Sequence, residues 1–100
     1  SRQEGPMKVE TAEELDEQAI VHLSEMLNAA SMVVATGYGA KAAGRFTQAH
    51  RVGVAEARDN MIRYLALFTD GECAGWVVPN VIDAMREIEN IASELLKEGA

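Results

Sequence analysis

The groups in this chain that could do chemistry are few and scattered. His22 and Glu25 stand three residues apart, a spacing that puts an imidazole and a carboxylate on one helix face, as two ligands of a zinc site would stand. The only other histidine, His50, belongs to a different predicted helix, and neither histidine has an i, i+4 partner. Third and fourth ligands are therefore missing, both histidines read as surface residues, and no metal or cofactor is expected. The single cysteine, Cys73, lies between Asp70, Glu72 and a glycine, and acidic neighbours disfavour a thiolate. It reads as a small connector residue. Carboxylates are plentiful but gather at predicted helix starts and polar faces, so neither nucleophilic nor general acid-base catalysis finds its pair of groups.

One segment invites a phosphate-binding reading, Thr36-Gly-Tyr-Gly-Ala-Lys-Ala-Ala-Gly-Arg45. Glycines at a helix N-terminus can present backbone N–H groups, and Lys41 or Arg45 could meet an anion. The Gly-Lys-Ser/Thr ending of a P-loop is absent, as is the G-x-G-x-x-G spacing of a dinucleotide site. The plainer reading is a helix stop followed by a helix start, with small residues allowing close packing. An anion or small ligand at the Gly37 to Arg45 loop is kept as the alternative function.

The elements that would position any site are helices. From Thr11 to Ala35, Ala19, Leu23, Met26, Ala30 and Val33 recur in steps of four and three, with Leu15, Ile20, Leu27 and Val34 beside them. From Val81 to Glu98, Val81, Met85, Ile88, Ala92 and Leu95 do the same, flanked by Ile82, Ile91 and Leu96. Such spacing gathers apolar side chains on one helix face. The first helix starts with a capping box, Thr11 to Glu14, and is expected to stop at Gly37 and Gly39. At about 24 residues, or about 36 Å, it is long enough to protrude from its own domain or to pair with another chain. A short helix is expected within Ala40 to Arg51. A third follows from Val54 to Phe68, with Val54, Met61, Ile62, Leu65 and Phe68 on one face, Tyr64 at its border, and Asp70-Gly71 as its end. Asn80 is expected to cap the last helix.

Composition fits this picture. The 100 residues are 48% hydrophobic but only 5% aromatic, which suits a core of Ala, Val, Leu, Ile and Met between helices. One domain over residues 11–100 is expected, behind a flexible leader at 1–10. The lone cysteine excludes an internal disulfide and suits a reducing cytoplasm. No apolar run approaches the roughly 18 residues of a membrane span, and no basic-then-apolar leader precedes the helices. The net charge of −7 divides into −5 over residues 1–28, +3 over 29–69 and −5 over 70–100. Acidic flanks argue against nucleic-acid binding, which needs clustered Lys and Arg, and the basic middle reads as an internal complement to two acidic helices.

The expected fold is therefore all-α, an irregular bundle of three long helices and one short helix, homodimeric because its apolar faces exceed what two short middle helices can cover. The expected function is non-enzymatic: binding another protein through apolar helix faces and blocking that partner's assembly. Met26, Met61, Tyr64, Phe68, Trp76 and Met85 are the candidate contacts, methionine for adaptable packing and the aromatics as anchors. Tyr38, between two glycines, is a second exposed anchor. In size, acidic helical character and lack of catalytic groups, the whole chain resembles the small bacterial quorum-sensing antiactivators that bind LuxR-type transcription factors. The resemblance is one of general character and carries over no site residue. It implies a regulator's ligand-binding domain, rather than DNA, as target. An acidic DNA mimic is the remaining alternative.

Overall fold

A computed structural model describes residues 20–98; the leader and the Thr11 capping box lie outside them. The described residues form three helices and no strand: α1 (Ile20–Ala42), α2 (Gln48–Leu65), running on as a π-helical turn (Ala66–Asp70), and α3 (Pro79–Glu98). The fold is all-α. The most extensive interface joins α2 to α3, and α1 lies against both. The assembly measures 41 × 31 × 19 Å, so its thinnest dimension is about two helix diameters.

The expected stop at Gly37 and Gly39 does not occur. Helix α1 runs through both glycines, and Gly37 is buried. A Cβ there would stand 2.7 Å from Val54 Cγ2 and 3.3 Å from Phe46 Cε1, so this glycine is where α2 and the inter-helix corner approach α1 most closely. The true stop is Gly44, at φ +76°, a left-handed conformation that glycine adopts without steric cost. There the Arg45 N–H donates to the Ala40 carbonyl at 2.7 Å and the Gly44 N–H to the Lys41 carbonyl at 3.0 Å. These are the two bonds of a Schellman motif.

The expected short and third helices are one. Helix α2 begins after Thr47, whose Oγ1 accepts from the His50 N–H at 3.2 Å while His50 Nδ1 accepts from the Thr47 N–H at 3.2 Å. This is a capping box with histidine in the place usually held by Glu or Gln. The acceptor role requires Nδ1 to be without a proton. Phe46 stacks on the His50 ring, centroids 6.0 Å apart, and holds it in place. Gly53 does not break α2; it faces Val33 of α1, which a Cβ would meet in ordinary contact at 3.4 Å.

At its far end α2 stops where Asp70-Gly71 predicts. The Thr69 hydroxyl donates to the Leu65 carbonyl at 2.6 Å, and the Cys73 N–H reaches back to the Leu67 carbonyl at 3.1 Å. The chain folds so tightly onto this turn that a Cβ at Gly71 would lie 2.9 Å from the Ala66 carbonyl oxygen. Cys73 is thereby fully buried. Helix α3 starts at Pro79, one residue before the expected Asn80 cap: the Val78 carbonyl accepts from Val81 at 3.0 Å, and proline suits a first turn whose N–H groups lack partners anyway.

The core is built from α3 residues Met85, Ile88, Ala92, Leu95 and Leu96, α2 residues Val54, Ala57, Met61 and Tyr64, Phe68 from the π turn, and Leu23 and Val34 from α1. The α3 seam matches its predicted spacing. On α1 the inward line is Leu23, Leu27, Ala30, Val34 and Gly37, turned away from the predicted seam, and Val33 is left exposed. Tyr64 sits inside the core rather than at its border, while Ile62 faces outward. Arg51 of α2 donates to the Leu96 carbonyl of α3 at 3.0 Å, a cation at a helix C-terminal turn. Arg58 pairs with its neighbour Asp59 on the same helix. Neither bond is an ion pair between helices, and most of the first acidic flank lies outside the described residues.

Candidate partner-binding surface

Helices α1 and α2 diverge enough to leave a trough between them. At one end its walls are Met26, Ala29, Ala30 and Val33 of α1 and Gly53, Glu56, Ala57, Asn60, Met61 and Tyr64 of α2. At the other, Met32, Val33 and Thr36 face Ala49, His50 and Gly53. Val33 and Gly53 belong to both ends, so the trough is continuous. Along α2 it extends from Ala49 to Tyr64, about 22 Å at 1.5 Å per residue. Its lining is mostly apolar, and Glu56 is its one acidic residue.

Small residues shape this surface. Ala49, Gly53 and Ala57 follow one another at i+4 on a single face of α2, and Ala29 and Ala30 answer them from α1. At the floor, the Tyr64 hydroxyl donates to the Met26 sulfur at 3.2 Å. Burial raises the Tyr64 pKa above its ordinary 10.0, opposed by the nearby Arg63 charge; loss of its proton would place a charge in an apolar setting.

Three of the six predicted contact residues, Met26, Met61 and Tyr64, meet in this trough, with Met26 half-buried and the other two forming its floor. Phe68 and Met85 are buried in the core, as Met61 and Tyr64 are, but do not line the trough. Trp76 is 46% exposed in the turn after α2, apart from the trough lining. Gly75, at φ +85°, makes that turn possible, and the Trp76 N–H donates to the Cys73 carbonyl at 3.0 Å. Tyr38 is 63% exposed on α1. Gly53 and Ala57 also line the trough and were not among the candidate contacts, Gly53 because it reads as a break between two helices; the i+4 run of small residues was the available signal.

The alternatives fare differently. Gly37 to Arg45 is no loop: its N–H groups through Ala42 are committed to helical bonds, and the segment ends a helix, where the dipole is negative and repels anions. His22 Nδ1 and Glu25 Oε1 approach to 3.4 Å on the surface, and among the described residues no group of three metal-ligating side chains forms. None of the described helices is long and apolar enough to cross a membrane. No protein-family model, curated protein or solved structure matches the chain.

Proposed function

We propose that this chain is a non-enzymatic regulator that docks a partner protein through the apolar trough between α1 and α2. The observation that carries this reading is the trough itself: a continuous, mostly apolar surface about four helical turns long on a chain this small. Amphipathic helices lay their apolar faces into grooves of this kind, with anchors recurring every three or four residues. Within its wall Met32 is 68% exposed and Val33 39%, apolar side chains open to water of the kind that marks an interaction surface.

The resemblance to quorum-sensing antiactivators makes a LuxR-type transcription factor the proposed partner and blocked assembly of that factor the proposed consequence. Homodimerisation belongs to the same reading, since a second copy covers the same kind of surface. Titration calorimetry between the chain and the ligand-binding domain of a LuxR-type regulator tests it. Saturable binding, lost on Val33→Glu and tolerant of moderate salt, is the expected result. Binding that disappears with salt and survives Val33→Glu would point instead to the acidic surface of α3 and a DNA-mimic role. No binding removes this partner class.

A further inference from the structure

We infer that the α1–α2 trough is where a second copy of this chain docks, its α1 lying antiparallel in the trough so that the two chains close a four-helix core. This rests on reading the trough as a protein-docking surface and names the occupant. The first ground is length and charge. From Met26 to Ala40, helix α1 has fifteen residues without a single Asp, Glu, Lys or Arg. That stretch is about 22 Å long, the same as the trough's α2 wall. Neither α2 nor α3 offers a comparable uncharged length: α2 carries Arg51, Glu56, Arg58, Asp59 and Arg63, and α3 carries seven charged residues.

The second ground is that α1 is apolar around most of its circumference. Leu23 and Val34 face the core, Met26, Met32 and Val33 line the trough, and Val21 and Tyr38 face the solvent. A helix apolar on all sides is normally an interior helix, and one chain covers only part of it. The third ground is the charge at its two ends. The exposed Glu25 immediately precedes its uncharged stretch, and the exposed Arg45 follows it. An antiparallel two-fold pairing directs the acidic end of each copy toward the basic end of the other, whereas a parallel one sets like charges together. A chain of net charge −7 would otherwise resist self-association.

The α1 wall of the trough runs from Met26 to Thr36, so the two-fold axis passes near Met32. The full chain is tested by sedimentation equilibrium over a concentration series, with helicity checked by circular dichroism. The expected result is a dimer whose dissociation constant rises at least a hundredfold in Met32→Glu and is unchanged in Ile62→Glu on the opposite side of α2. Met32→Cys is expected to join to itself with a short thiol-reactive crosslinker. Val21→Cys is not, since its two copies lie on the order of 30 Å apart in this arrangement. A wild-type chain that stays monomeric at every concentration overturns the inference, as does a dimer indifferent to Met32→Glu or one crosslinked efficiently through Val21→Cys. A monomer whose regulator binding is still lost on Val33→Glu would leave the docking function standing and remove only the second copy.

Discussion

Helices α3 and α1 are of similar length, 20 and 23 residues, yet they meet the rest of the molecule in opposite ways. On α3 the apolar residues fall on one face, and Met85, Ile88, Ala92 and Leu95 are all buried while Asp83, Glu87 and Glu94 point to water. On α1 the apolar residues go round the helix, so burying Leu23 and Val34 leaves Val21, Met32 and Val33 exposed. An amphipathic helix has one way to sit and can be satisfied within a small domain. A helix apolar all round has several, and a single chain cannot satisfy them together.

The largest effect is expected at Met85, fully buried on α3. Met85→Ala removes most of a core side chain and is expected to cost about 2–5 kcal/mol, read as a fall in denaturation midpoint with unchanged slope. Gly37 tests the contact face of α1: Gly37→Val inserts atoms where a Cβ already meets Val54 at 2.7 Å, with an expected loss of about 1–3 kcal/mol. Gly39→Val, with open space around it, is the control and should change little beyond helix propensity.

Smaller effects sharpen the picture at the α1–α2 corner and in the trough. Thr47→Ala removes the cap of α2 and is expected to cost about 1 kcal/mol in urea denaturation. His50→Gln, which can still accept from the Thr47 N–H, should retain most of it. Tyr64→Phe deletes the bond to Met26 at a cost of about 0.5–1 kcal/mol. Because the folded chain holds the Tyr64 proton more tightly than the unfolded one, this group's contribution is complete below pH 10 and declines as pH rises from there toward its folded pKa. The stability of Tyr64→Phe should therefore fall less steeply above pH 10. Least of all, Met32→Ser should shift stability by under about 0.5 kcal/mol in dilute solution, since in one chain the side chain touches mostly water.

How far residues alone could be read follows the same division. The α3 seam was visible because one face was apolar and the other charged, and the Asp70-Gly71 end because little else follows it but turn residues. The α1 face was less so: Leu23, Met26, Ala30 and Val33 compose as good a line as Leu23, Leu27, Ala30, Val34 and Gly37, and only neighbouring helices choose between them. Glycine misled most. Gly37 and Gly53 read as breaks, but both lie within helices: at Gly37 a Cβ would stand 2.7 Å from Val54, a close approach that outweighs the roughly 1 kcal/mol a helical glycine costs, while at Gly53 a Cβ would make ordinary contact with Val33 at 3.4 Å. Met26, Met61 and Tyr64 shared no sequence neighbourhood, and the trough that unites them is a product of the α1–α2 crossing.

Helicity and an apolar surplus beyond what the middle of the chain covers were determined by the sequence, because side-chain type and period are local properties. Which side of α1 faces inward, which glycines are joints and which are contacts, and the existence of a trough about 22 Å long were decided only by tertiary structure. Each depends on how near one helix comes to another, a distance that no single segment contains.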